Sequence, residues 1–128
     1  MSLPFWCLFV ATLLTVLSKV PMNILAARQE PYDHHSPRLQ QARLRGAAHR
    51  ALAAHLNLQE AYPPFAAAIL VSHLAGADPL LAGAGGGLFL LARLLYQLFY
   101  LLDRPQLRSL SWGVGMLATL GVFLSPLG

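Results

Sequence analysis

Charge is what this chain has least of. Asp, Glu, Lys and Arg together make up 11% of its 128 residues, against 56% apolar residues. A soluble domain carries about a quarter charged residues, so that shortage excludes an ordinary soluble fold and leaves a single membrane domain. One cysteine, Cys7, excludes a disulfide within the chain and reads as an inert thiol in an apolar helix. No Lys or Arg precedes Lys19, so the first apolar segment lacks the basic start of a secretory signal and is expected to stay in place as a span. Acidic residues are absent from every apolar segment except for Glu60. Gly-rich phosphate loops, nucleophile elbows and triad spacings are also missing. Asp33-His34-His35 matches no compact ligand spacing, and no metal is expected.

What is there is a set of long apolar runs. Residues 3–27, 48–74, 79–102 and 107–127 are each near the ~20 residues that a transmembrane helix needs. The second is the weakest, because its first half is polar and would be untenable against lipid unless other helices shelter it. Short links at Gly76–Pro79 and Asp103–Pro105 make consecutive helices antiparallel neighbours. The fold class expected is therefore all-α integral membrane, an up-down bundle of four transmembrane helices. Residues 28–47 form the one sizeable loop. Residues 31–37 read as turn, and a helix is expected to begin near Arg38 and run into the second span. Pro63 and Pro64 deprive the carbonyls of Gln59 and Glu60 of helical partners, which predicts a kink. Small residues, Gly83 and Gly85–Gly87 in the third span and Ser111, Gly115, Gly121 and Ser125 in the fourth, suit close helix packing in lipid.

The basic residues are distributed one-sidedly. Arg28, Arg38, Arg43 and Arg45, with Arg50 close behind, lie in or beside the first connection, and Arg104 and Arg108 flank the third. The second loop and both termini have none. The positive-inside rule then places the first and third connections in the cytoplasm and both ends outside. The formal net charge of +4 resides in these arginines, so nucleic acid is not an indicated partner.

Arg93-Leu-Leu-Tyr96-Gln97-Leu-Phe-Tyr100 places a cation, an amide and two phenols at helical spacing within an apolar run. An intramembrane arginine normally faces a bundle interior or a water-filled cavity. Glu60 is its expected partner. In the second span Arg50, Asn57, Glu60 and Pro64 fall within about 80° of one another at 100° per residue. Arg108 and Ser109 open the fourth span one short turn from the end of the third. An arginine there can hold carboxylates or stabilise a thiolate.

Three of these stretches resemble one family. Arg50-Ala-Leu-Ala-Ala-His55-Leu-Asn57-Leu-Gln-Glu60-Ala-Tyr-Pro-Pro64-Phe65 is similar to the second helix of the MAPEG proteins, the membrane-associated proteins of eicosanoid and glutathione metabolism. Ala92-Arg93-Leu-Leu-Tyr96-Gln-Leu-Phe-Tyr100 resembles their third helix, and Leu107-Arg108-Ser109 the start of their fourth. The first span and the Asp33–Arg38 loop look like those of short bacterial members, a group that resembles the microsomal glutathione transferases. The resemblance implies a homotrimer with glutathione as co-substrate between subunits, in a site open to the cytoplasm. Arg50, Asn57, Glu60, Arg93, Tyr96 and Tyr100 match its ligand-lining positions. Arg108, with Ser109 beside it, matches the arginine that stabilises the thiolate. The partners implied are lipid, a hydrophobic small-molecule substrate and the chain itself, and the location is a bacterial inner membrane with both termini periplasmic. The chain departs from catalytic members at Ala53, where they carry a further arginine, at His49, where many have glutamate, and at Ala61, where some have tyrosine. Two readings follow: a transferase or peroxidase acting on hydrophobic electrophiles, and a non-enzymatic lipid-binding or scaffold trimer.

Overall fold

The first apolar run is divided by its own proline. The computed structural model describes residues 1–128 and is helical with no strand. Its first helical run consists of α1 (Leu3–Leu17) and α2 (Lys19–Ala27), which meet at Ser18. Pro21 has no N–H for the Leu17 carbonyl and its ring crowds that oxygen, which places the break at this point. A short helix, α3 (Pro37–Ala42), follows, then α4 (Gly46–Leu74), α5 (Pro79–Leu101) and α6 (Pro105–Leu124), which closes in a 3-10 turn over Ser125–Leu127.

Proline in the first turn of α3, α5 and α6 loses only an N–H that would have been unpaired. Asp78 caps α5 by accepting from the Leu80 N–H at 2.9 Å. The turns reverse at Gly76 (φ 80°) and at Asp103 (φ 57°), a left-handed conformation that asparagine and aspartate tolerate better than most residues.

One expectation changes. The helix starting near Arg38 does not run into α4: it ends at Ala42, and Gly46 at φ 58° turns the chain before α4 begins. α4 carries Pro63 and Pro64 inside a single helix. Both prolines are exposed, so their rings point away from the helices packed against α4.

Three helical runs are long and apolar enough to cross a membrane: Leu3–Ala27, Pro79–Leu101 and Pro105–Leu127. α4 is 29 residues long but falls outside that group, because Arg50, His55, Asn57, Gln59 and Glu60 dilute its apolar content.

α5 is the central element, packed on α1, α4 and α6. Its glycines make the close approaches. A Cβ on Gly86 would lie 2.9 Å from Cys7 Cβ of α1, and one on Gly85 would lie 2.7 Å from Val122 Cγ2 of α6. Small residues at such points let van der Waals contact drive association where lipid offers no hydrophobic gain. Ser111 and Gly115 of α6 are likewise buried, whereas Gly121 is exposed with nothing near it. The main core joins Cys7, Ala11, Phe65, Ile69, Phe89 and Val122, with the Phe65 and Phe89 rings stacked at 3.9 Å. A second cluster, Met22, Leu44, Ala48, Ala51 and Leu52, ties the long loop to α2 and α4.

α1 and α4 are also stitched by polar groups. Thr12 and Tyr62 share a hydrogen bond at 2.6 Å, Gln59 Nε2 donates to the Thr15 carbonyl at 2.8 Å, and Ser18 Oγ meets His55 Nδ1 at 2.6 Å. Residue numbers rise on one helix as they fall on the other, so the two run antiparallel.

Candidate functional site

Apart from Gln97, α5 is apolar except on the strip that carries Arg93, Tyr96 and Tyr100, and this strip builds the site. Arg93 is 1% exposed. Its Nη1 donates to Asn57 Oδ1 on α4 at 2.9 Å, and its Cζ lies 4.0 Å from the Tyr96 ring centroid. Its Nε and Nη2 are buried without a partner. Tyr96 and Tyr100 meet edge to face at 5.6 Å, and Arg108 at the start of α6 places its Cζ 4.5 Å from the Tyr100 centroid. The result is a column in the order Arg93, Tyr96, Tyr100, Arg108, with a guanidinium on a ring face at each end. Such contacts hold a desolvated cation by about 2 kcal/mol and fix its direction.

Beside the column is a cavity of about 300 Å³ lined by Asn57, Tyr96, Tyr100, Arg108, Ser109 and Trp112. A second cavity of about 10 Å³ adjoins it through Trp112 and is lined also by Arg93, Phe89, Met116 and Thr119. That volume is roughly one water molecule. The larger space offers a guanidinium, two phenols, a hydroxyl and an amide, which together suit a polar, anionic ligand. Because Asn57 Oδ1 is taken by Arg93, its amide nitrogen is left to donate.

Five of the residues singled out in the sequence, Asn57, Tyr96, Tyr100, Arg108 and Ser109, line this one cavity. Arg93 lies behind it. Arg50 lies elsewhere: its Nη2 reaches the Leu101 carbonyl at 3.4 Å, at the C-terminal end of α5 where a cation is favoured. Glu60 is exposed on α4. The ion pair expected between Glu60 and Arg93 does not form within the chain, whose single salt bridge is Arg43–Glu30 at 3.3 Å. Asn57 takes that place, because it faces α5 whereas Glu60, about 60° further round the helix, points off the α4–α5 contact.

The sequence model of the MAPEG family matches residues 3–128. The chain belongs to the MAPEG family. No curated protein and no solved structure matches it. As a MAPEG protein it is an all-helical integral membrane protein, of the family that serves glutathione and eicosanoid metabolism.

Within this MAPEG chain, sequence reasoning missed Trp112. It lines both cavities and is 44% exposed. The signal was present: Trp112 stands four residues after Arg108 and three after Ser109, hence on their helix face. In an apolar run it reads as one more lipid-facing aromatic.

Proposed function

We propose that this MAPEG protein is an integral membrane glutathione transferase, with peroxidase chemistry at the same site, acting on hydrophobic electrophiles that arrive through the bilayer. The observation that carries the reading is the convergence of Asn57, Tyr96, Tyr100, Arg108 and Ser109 on one cavity. Arg108, steadied on the Tyr100 ring, is the cation available to a thiolate at the mouth of that space. Its charge favours the ionised thiol, so the thiol proton passes to water and the sulfur becomes nucleophilic near neutral pH. The thiolate then forms a carbon–sulfur bond as the electrophile's leaving group departs with its electron pair. With a hydroperoxide, two thiols become a disulfide while the peroxide becomes an alcohol and water. Ser109, Tyr96, Tyr100 and the Asn57 amide are placed to orient the peptide.

The cavity of one protomer lies at the small end of the ~300–1,000 Å³ typical of ligand sites. It holds no acid for a ligand ammonium, and Arg50 is outside it. Completion by a second copy is therefore part of the proposal, in a homotrimer with glutathione between subunits. Exposed Glu60 supports it, since a carboxylate on a helix inside a membrane needs a neighbour. Such a neighbour would also shelter the polar half of α4 as the fourth crossing. The loop arginines support a bacterial inner-membrane location with residues 28–47 in the cytoplasm and both termini periplasmic. A reporter that is active only in the cytoplasm, fused after Gly128, is expected to stay silent. A strong signal would reverse the orientation and with it the cytoplasmic site.

The functional test is direct. Detergent-purified protein is expected to bind glutathione saturably, with Kd on the order of millimolar or tighter, and to develop thiolate absorbance in the near ultraviolet. A non-enzymatic lipid-binding or scaffold trimer is the second reading, favoured by Ala53 in place of an arginine and by Arg50 turned toward Leu101. Absence of both binding and thiol addition to a generic electrophile would install that reading instead.

A further inference from the structure

The connection between α2 and α4 is built far more firmly than a tether between two helices needs to be. Gln29 bridges to Arg45 twice, donating from Nε2 to its carbonyl at 2.8 Å and accepting its N–H at 3.2 Å. Glu30 pairs with Arg43 at 3.3 Å. Buried Gln40 donates to the Pro31 carbonyl at 2.7 Å and accepts from the Asp33 N–H at 2.9 Å. Leu44 anchors the whole in the cluster with Met22 and Ala48. The two arms of the loop are thus laced together from the end of α2 to the start of α4, which holds them against the ends of those helices.

The lacing also sorts the charges. Both acids of the loop are occupied internally: Glu30 by Arg43, and Asp33 by the backbone N–H groups of His35 (2.9 Å) and Ser36 (3.1 Å). Arg28, Arg38 and Arg45 are all exposed, and none has an acidic partner. Among them stand two exposed apolar side chains, Tyr32 at 61% and Leu39 at 65%. Free cations interspersed with an aromatic and a leucine, on a rigid segment adjoining a membrane-spanning run, have the chemistry of a bilayer interface.

We propose that the 28–45 connection is a docking platform for anionic phospholipid, with Arg28, Arg38 and Arg45 on headgroup phosphates and Tyr32 and Leu39 seated at the headgroup–acyl boundary. The selectivity comes from net charge. A zwitterionic headgroup brings an ammonium that the three arginines repel, whereas a singly anionic one does not. Each arginine near such a surface contributes about fivefold in affinity. This platform is separate from the cavity lined by Arg108, and its test does not depend on glutathione.

The full-length protein is reconstituted in nanodiscs holding equal amounts of phosphatidylglycerol and phosphatidylcholine with matched acyl chains. It is then extracted in detergent, and the retained lipid is counted by native mass spectrometry. Wild type is expected to retain phosphatidylglycerol over phosphatidylcholine by about tenfold or more, with the ratio falling toward one as salt approaches about 1 M. The Arg28→Gln/Arg38→Gln/Arg45→Gln variant is expected to lose the preference while melting with wild type, because the Gln29–Arg45 bonds use only the backbone of Arg45. Tyr32→Ser/Leu39→Ser is expected to lower retention of both lipids and leave their ratio unchanged. Equal retention by wild type, a ratio indifferent to salt, or a wild-type ratio in the arginine variant would each overturn the proposal. Arg28→Lys/Arg38→Lys/Arg45→Lys, which keeps the three charges, is expected to keep the preference, and loss of the wild-type ratio in this variant would overturn the proposal even if the glutamine variant fails to fold.

Discussion

Arg108→Leu is expected to lower turnover with a generic electrophile by about 10²–10³-fold, equivalent to roughly 3–4 kcal/mol of transition-state stabilisation. The guanidinium lies on the Tyr100 ring beside the cavity, half-buried at the start of α6. Its removal takes away the positive charge proposed to stabilise the thiolate, without opening the core. Two readouts separate this from a structural effect. The pH–rate profile should move to higher pH, since a thiol without its cation ionises later. The melting temperature should stay close to wild type. Arg108→Lys keeps the charge but loses the planar face on Tyr100, and should recover part of the rate. Wild-type turnover in Arg108→Leu would remove the thiolate role altogether.

Asn57→Leu is expected to be the most destabilising single change near the site, at about 3 kcal/mol, because it leaves a fully buried guanidinium without its one hydrogen-bond acceptor. Arg93→Leu removes the cation instead. The double variant Asn57→Leu/Arg93→Leu should be less destabilised than Asn57→Leu alone, since no charge is then stranded in the bundle. A double-mutant cycle read by thermal unfolding in detergent checks this. Additive losses would mean that the 2.9 Å contact carries no coupling, and that Arg93 is satisfied by other means. Glu60→Ala, by the same geometry, should affect the single chain little and act only through the proposed contact between copies.

The contrast between Asn57 and Glu60 shows how far the sequence could be read. Helical spacing places both on one side of α4. It identifies which face of a helix is polar, but not which neighbouring helix that face meets. A difference of about 60° around α4 decides which residue touches Arg93, and it depends on how α4 is rotated against α5. The same holds on α5. Arg93, Tyr96 and Tyr100 were legible as one stripe and do form one column. Gln97, taken with them, turns instead to donate to the Ala54 carbonyl at 3.0 Å, away from the cavity.

Apolar runs and turn chemistry made the helical membrane fold legible, since a bilayer accepts little else. The break at Ser18 was equally readable from Pro21 but was hidden by the continuity of the apolar run. The lacing of the loop was not readable, because Gln29, Gln40 and Asp33 are ordinary loop residues until their partners are known. Trp112 escaped because lining a cavity and facing lipid call for the same residue type.

The polar stitching of α1 to α4 has a bearing on how the chain is made. Thr12 Oγ1 donates to the Leu8 carbonyl at 2.9 Å, Thr15 Oγ1 to the Thr12 carbonyl at 2.6 Å and Ser18 Oγ to the Thr15 carbonyl at 3.4 Å. Each hydroxyl thus spends its proton on its own helix. A ribosome delivers α1 into the bilayer some forty residues before Gln59 and Tyr62 exist, and in that interval none of these three hydroxyls lacks an acceptor. The lone pairs of Thr12 and the carbonyl of Thr15 remain free to accept when α4 arrives. The hydroxyls of the first segment therefore add little to the cost of waiting in lipid, and its register against α4 is fixed only when the later helix supplies the donors.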